Sequence, residues 1–153
     1  PELLELCKYI KYIVCSKGFA ETVTGMKFDY SNPSILVAIY NKLQDKYPNS
    51  NIVITLEEKG CLYQVGNEIK IMPGLKVNAV DTTGAGDIFH GAFTYGIANN
   101  FDMEKTITLA NIAAGLSVTK IGSRLSIPTL SEVLDYYAKK TGMVNNNDNK
   151  QNS

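Results

Sequence analysis

The sequence predicts an α/β fold with a mainly parallel sheet, and three observations carry that expectation. Helix-period and strand-like segments alternate along most of the chain and give way to consecutive helices near its end. The clearest strand, Asn51-Ile52-Val53-Ile54-Thr55-Leu56, is a continuous β-branched run, as in a parallel strand covered on both faces. A glycine-rich turn, Gly84-Ala85-Gly86, joins an extended stretch to an almost uncharged helical run.

Residues 2–9 (ELLELCKY) repeat apolar positions at helical spacing, and Tyr12-Ile13-Val14-Cys15 reads as a short buried strand. Ser16 is placed to cap a helix over 17–24, with Gly25 as its stop. Asn32-Pro33-Ser34 opens a second helix, about 34–46, with proline where a missing N–H is tolerated. Residues 48–51 turn into the strand 51–56. Beyond Glu57-Glu58-Lys59-Gly60, residues 61–65 and 68–72 flank Gly66-Asn67 as the arms of a hairpin. Pro73-Gly74 ends the hairpin, and Val77 to Val80 is expected to form a brief strand.

Residues 88–98 (IFHGAFTYGIA) are rich in Ala, Gly and aromatics, so this helix is expected to be buried on most sides. Phe101-Asp102 breaks it, Met103 to about Val118 forms another helix, and residues 119–128 form a loop. Thr129 or Ser131 caps a last amphipathic helix reaching about Lys140, with Gly142 as its stop. Residues 144–153 are polar and Asn-rich, with nothing to bury, and are expected to be disordered. No internal repeat is visible.

A length of 153 residues suits one domain or part of one. A net charge of zero argues against nucleic-acid and anionic-membrane partners. No apolar run approaches a membrane span and no secretory signal is recognisable, so a cytoplasmic protein is expected. Cys7, Cys15 and Cys61 are odd in number and sit in apolar contexts, so they read as reduced core thiols. The sequence starts at Pro1 inside structured-looking material, which suggests a fragment of a longer protein.

The chemistry concentrates at Val80-Asp81-Thr82-Thr83-Gly84-Ala85-Gly86-Asp87. A Gly-Ala-Gly turn that opens a helix presents bare N–H groups at the positive end of the helix dipole, a ready anion site. An acid beside such a site, Asp87, is electrostatically awkward, which hints at a task for it. The plain alternative is a tight strand-to-helix turn with Asp87 as a favourable first-turn charge. A dinucleotide fingerprint fails because Phe89 stands where a third small residue is needed. A P-loop fails because no Gly-Lys-Ser/Thr follows. The strand Ile52–Leu56 ends in a glycine-containing loop of its own. Ends of parallel strands share one sheet edge, so both loops are expected to frame one ligand.

DTTGAGD followed by IFHGAF resembles the C-terminal signature of the ribokinase (PfkB) family of carbohydrate kinases. ITLEEKGCLY resembles the family's TLG-x-x-G strand and loop, and Asn111 to Thr119 resembles the helix that flanks the adenine. Ile121-Gly122-Ser123 and Ser126-Ile127-Pro128 resemble the loop that follows. The segments keep the family's order and spacing over roughly residues 1–140. The resemblance implies the C-terminal portion of a ribokinase-like three-layer α/β/α sandwich over residues 1–141, with a disordered tail over 142–153. It also implies that most sugar-contacting residues and a β-lid belong to an N-terminal half not contained here. A sheet edge and apolar faces would then be uncovered, so self-association into a homo-oligomer is expected.

Residue by residue, the resemblance makes Asp87 the catalytic base of an ATP-dependent sugar kinase and Gly84, Ala85 and Gly86 its anion hole. Thr55, Glu57, Gly60, Gly86 and Asn111 match nucleotide-binding positions, with a hairpin turn at the first three and a helix-surface amide at Asn111 as the plain alternatives. Asp81, Thr83, Ser117, Lys120, Gly122 and Ser126 match a site for a monovalent cation such as K⁺, held mostly by backbone oxygens. ATP with Mg²⁺ and a small sugar are the implied ligands. Two positions depart from the pattern. Glu57 replaces a glycine, and its carboxylate would repel phosphates. Ser16-Lys17-Gly18-Phe19 stands in place of Asn-x-x-Glu and resembles the branch acting on ketoses. Mg²⁺ binds largely through phosphates and waters, so the loss of that motif need not remove metal dependence. Lys17 reads as a solvated helix-start lysine, with a phosphate contact as the alternative. His90 reads as a satisfied packing histidine, Tyr136 and Tyr137 as packing residues, and Glu57-Glu58-Lys59 as a solvated turn. A phosphate-binding module without catalysis, and a kinase of a nucleoside or other small alcohol, remain as alternatives.

Overall fold

The computed structural model describes residues 2–122 and 124–142, apart from the side chains of Glu2 and Leu3. The tail 144–153, expected to be disordered, lies outside the described residues. The chain divides into two compact units, Pro1–Leu75 and Lys76–Ser153.

The first unit runs α1 (Glu2–Leu6), a 3₁₀ turn (Cys7–Tyr9), β1 (Tyr12–Ser16), α2 (Lys17–Thr24) and α3 (Pro33–Lys46). It continues with β2 (Asn51–Thr55), a second 3₁₀ turn (Glu57–Lys59), β3 (Cys61–Val65) and β4 (Glu68–Met72). The strands lie in the order β1-β2-β3-β4. β1 and β2 are parallel, with Tyr12 opposite Asn51 and Ser16 opposite Thr55. β2–β3 and β3–β4 are antiparallel, so the described sheet is mixed and its parallel part is the β1–β2 pair. The connections dictate this. The segment Leu56 to Gly60 is too short for the crossover that a parallel neighbour requires, whereas α2 and α3 supply one between β1 and β2.

Strand alternation sorts the side chains. Ile13, Cys15, Ile52, Ile54 and Leu62 point to one face and pack with Ala20, Leu36, Ile39, Tyr40 and Leu43 from α2 and α3. Each buried Leu or Ile among them contributes roughly 1.5–3 kcal/mol. Tyr40 enters this core with its hydroxyl satisfied, donating to the Ile52 carbonyl at 2.9 Å. Val53, Cys61 and Tyr63 point the other way and are buried as well. All three cysteines are buried and unbridged, as their apolar contexts predict. Burial pushes the Cys15 and Cys61 thiols up to about 12, so neither is a nucleophile near neutral pH. The expected caps form: Ser16 Oγ accepts from Phe19 N–H at 3.2 Å, and Asn32 Oδ1 accepts from Ser34 N–H at 3.1 Å.

The loop after β2 is held by backbone geometry. Glu57 adopts a left-handed φ of 57° and Gly60 a φ of 95°. Leu56 N–H donates to the Gly60 carbonyl at 2.7 Å. A Cβ on Gly60 would overlap the Met72 carbonyl oxygen and the backbone nitrogen of Gly74, while one on Gly74 would overlap the Glu58 carbonyl. The loop and the end of β4 therefore interlock through two glycines.

The second unit consists of α4 (Ala85–Ala98), α5 (Met103–Ser117) and α6 (Leu130–Thr141). The expected strand Val77–Val80 is absent. The N–H groups of Val80 and Asp81 both donate to one acceptor, the Val118 carbonyl, at 2.7 and 3.2 Å, which is a clip rather than a ladder. The expectation that residues 88–98 are buried on most sides is also corrected. Phe89, Phe93 and Gly96 are buried, but His90, Gly91, Thr94 and Tyr95 are exposed. Lack of charge marks a helix that is small and apolar, and here it does not mark one enclosed on all sides. The enclosed helix is α5, buried without interruption from Thr106 to Ala113. Leu109, Ile112 and Ala113 form a core with Val133 of α6, joined by Ile88, Ala92, Tyr136 and Tyr137. Thr129, not Ser131, caps α6 in a reciprocal capping box with Glu132. Among the described residues no helix is long and apolar enough to cross a membrane.

Two substitutions test the loop after β2. Gly60→Ala is expected to cost at least about 2 kcal/mol, because only backbone atoms stand in the way and they cannot rotate aside. Glu57→Gly relieves a left-handed cost of about 1–2 kcal/mol against about 0.5–1 kcal/mol of added unfolded-state freedom. It is expected to stabilise by about 0.5–1 kcal/mol in the same urea titration followed by circular dichroism.

Candidate active site

Gly84 sits at the N-cap of α4 with a left-handed φ of 79° and no side-chain cap. The Ala85 N–H closes on the Thr82 carbonyl at 3.2 Å, and the Ile88 N–H is the first to meet an intrahelical acceptor, the Gly84 carbonyl at 3.0 Å. The N–H groups of Gly86 and Asp87 lie between them, in the first turn, where a helix supplies no acceptor. Of the three residues expected to form the anion hole, Ala85 thus has its N–H already engaged.

Asp87 is exposed in that first turn. Among the described residues no hydrogen bond or ion pair engages its carboxylate. His90 is satisfied as expected, its Nδ1 lying 2.6 Å from the Gly86 carbonyl, but it is exposed rather than packed inside. A cavity of about 450 Å³ opens beside Asp87. Gly84, Gly91, Tyr95, Ile127 and Leu130 line it with Asp87, and its wall is mostly apolar. Sequence reasoning missed Tyr95, Ile127 and Leu130 as neighbours of Asp87, because Tyr95 lies about two turns along α4 and the other two come from a distant stretch of chain.

The expected cation residues are brought together. Asp81 Oδ1 accepts from Thr83 N–H at 2.9 Å, and Oδ2 accepts from Gly122 N–H at 3.0 Å. The Thr83 hydroxyl and N–H, then the Gly122 N–H, hold the Asp81 carboxyl below the usual carboxylate range. Gly122 in turn accepts from Ser126 N–H at 2.9 Å, and Ser117 accepts from Lys120 N–H at 3.3 Å. The Lys120 ammonium is 3.1 Å from Glu132 Oε1, so a carboxylate neutralises the one positive charge in the set. Backbone oxygens and an anionic carboxylate are the donor types that a hard cation takes. Among the described residues no group of three or more His, Cys, Asp or Glu gathers to hold a metal.

The remaining candidates are placed as follows. Asn111 is buried in α5, so the helix-surface amide is ruled out. In the first unit, Thr55 Oγ1 donates to the Cys15 carbonyl at 3.3 Å and Glu57 is exposed. Gly60 is explained by its backbone alone. The Lys17 ammonium lies 5.5 Å from the Tyr30 ring centroid, and Lys59 lies 4.7 Å from the same ring.

Solved structures place the architecture. The ribokinase of Cryptococcus neoformans var. grubii in complex with ADP superposes with a TM-score of 0.78 at 26% identity, covering 88% of this chain and 47% of that one. The Thermotoga maritima ribokinase gives 0.69 at 29% identity, covering 88% and 44%. The fold is therefore ribokinase-like α/β. The chain belongs to the pfkB family of carbohydrate kinases, whose model matches residues 1–130. The deoxyribokinase of Salmonella typhi is 35% identical over 141 residues, which is 89% of this chain and 45% of its own length. The ribokinase of Lactococcus lactis is 41% identical over 88 residues, or 58% and 29% of the two lengths. The chain thus spans less than half the length of these relatives.

The two glycines of the turn are expected to respond differently to alanine. A Cβ on Gly86 meets no atom within 4 Å, so Gly86→Ala should leave stability unchanged or raise it by up to about 1 kcal/mol through helix propensity. Gly84→Ala should cost about 1–2 kcal/mol for its left-handed φ. Thermal unfolding of both variants checks the contrast.

Proposed function

We propose that this chain carries the phosphoryl-transfer machinery of an ATP-dependent carbohydrate kinase, with Asp87 as its general base. The single observation that carries this reading is the exposed Asp87 carboxylate, unpaired among the described residues, beside the open N–H groups of the α4 turn. Asp87 accepts the proton of the acceptor hydroxyl as the hydroxyl oxygen forms its bond to the γ-phosphorus. The bond from that phosphorus to the bridging oxygen breaks, and its electron pair leaves with ADP. The Gly86 and Asp87 N–H groups, at the positive helix end, hold the charge that builds on the transferred group. Gly86 leaves its backbone bare for that approach.

Thr55, Glu57, Gly60, Gly86 and Asn111 are the proposed nucleotide-binding residues. Nucleotide use is supported by the ADP complex of the Cryptococcus neoformans ribokinase. Mg²⁺ would supply charge neutralisation on the phosphates, bound mainly through them and water. K⁺ would be held by oxygens of Asp81, Thr83, Ser117, Lys120, Gly122 and Ser126. The acceptor is a small sugar, in line with the ribokinase and deoxyribokinase relatives. A cytoplasmic homo-oligomer completes the proposal. The mostly apolar cavity beside Asp87 favours a second reading, in which the acceptor is a nucleoside or other small alcohol with an apolar face.

Asp87→Asn in the complete protein is expected to lower kcat by about 10²–10⁴-fold. KM for ATP should fall, because the variant carries no charge beside the phosphates, and the fold should be intact, because the side chain is exposed. Steady-state assays over a panel of sugars, nucleosides and simple alcohols check this and identify the acceptor. Undiminished turnover would remove Asp87 from the mechanism.

A further inference from the structure

We infer that the Asp81 carboxylate is a positioning residue that clamps the turn after α5 to the turn that opens α4, and so fixes the backbone that presents Asp87. The inference rests on the proposed role of Asp87 for its kinetic consequence, but its structural content stands without it.

The geometry is a closed circuit. One carboxylate oxygen takes the Thr83 N–H at 2.9 Å, two residues along the chain, and the other takes the Gly122 N–H at 3.0 Å, 41 residues away. The Val118 carbonyl takes the N–H groups of Val80 and Asp81 on the near side of the same junction. On the far side, Gly122 accepts from Ser126 N–H, and Lys120 pairs with Glu132, the residue that closes the capping box of α6. The segments 80–83, 118–122 and 126–132 are therefore tied to one another by side chains and backbone, with Asp81 the group that joins the first two from both of its oxygens.

What this does to the site follows from the bonds of the α4 turn. Thr82, Thr83 and Gly84 lie between the clamp and the helix, and the turn itself is held by Ala85 N–H on Thr82 and Ile88 N–H on Gly84. Gly84 is left-handed and glycine is the most permissive residue, so the local sequence alone specifies this turn weakly. A clamp three residues upstream of Gly84, anchored on the turn after α5, supplies the missing constraint. The bonds are to an ionised acceptor, the stronger kind. Asparagine has the same shape but offers one oxygen and one NH₂, so it cannot accept both N–H groups.

The test compares Asp81→Asn and Asp81→Ser by amide hydrogen exchange, read residue by residue by NMR. Serine keeps a short acceptor for Thr83 and loses the reach to Gly122, and it serves if the asparagine variant does not fold. The clamp predicts that Gly122, Ala85 and Ile88 all exchange faster, by about ten- to a hundredfold, as expected for loss of a bond to a charged acceptor. It also predicts that kcat of the complete protein falls by about ten- to a hundredfold with KM little changed, the signature of a displaced reacting group. Faster exchange confined to Thr83 and Gly122, with Ala85 and Ile88 unmoved, overturns the inference. Faster exchange at Ala85 and Ile88 with kcat unchanged also overturns its kinetic part. Failure of the Asp87 reading shows separately, as full activity in Asp87→Asn beside a loosened turn in Asp81→Asn.

Discussion

At Gly84 the backbone turns left-handed and enters α4 without a side-chain cap, and the chemistry available to the second unit depends on that turn. A residue with a Cβ would resist the conformation, and a conventional Ser or Asp cap would consume the N–H groups left open here. The turn therefore trades helix stability for unoccupied donors. It also sets Asp87 in the first helical turn, where the macrodipole favours a carboxylate by about 0.3–1 kcal/mol. The same field that favours Asp87 would favour any second anion brought to that helix end.

Most of the elements were legible because they are specified locally. Ser16 and Asn32 cap helices, Gly66-Asn67 turns a hairpin, and Thr129 with Glu132 forms a box, each within a few residues of chain. What was not legible depends on partners distant in sequence. Val77 to Val80 has the composition of a strand but no strand beside it among the described residues, and composition cannot show that. The apolar run 88–98 reads as an enclosed helix, yet His90, Gly91, Thr94 and Tyr95 are exposed, and lack of charge cannot show that. Asp81 was legible as part of a signature, but its bond to Gly122 spans 41 residues and leaves no trace in either segment.

The loop after β2 shows how far a motif glycine can be trusted. Gly60 belongs to a pattern associated with nucleotide binding, yet its φ of 95° and its contact with Met72 and Gly74 demand glycine with no ligand present. Its occurrence therefore supports the fold more directly than the function. Glu57 makes the complementary point. It has a left-handed φ of 57° at a position where the resembling pattern has glycine, so a residue with a side chain holds a conformation that favours glycine. The carboxylate sits in the loop at a conformational cost, and it is exposed, where water can screen it.

The balance between a catalytic site and a binding-only site can be weighed at Asp87. A carboxylate about 4 Å from one phosphate charge costs on the order of 4 kcal/mol at an effective dielectric near 20. The helix end offsets only about 1 kcal/mol of that. A module selected merely to hold phosphate would gain roughly a hundredfold in affinity or more by replacing Asp87 with a neutral residue, since each 1.4 kcal/mol is tenfold. The repulsion is relieved if the carboxylate gains a proton as the reaction proceeds, as a general base does when the acceptor hydroxyl attacks. Asp87 is penalised in the ground state and relieved along the reaction, which is the condition under which an interaction accelerates chemistry rather than tightening binding.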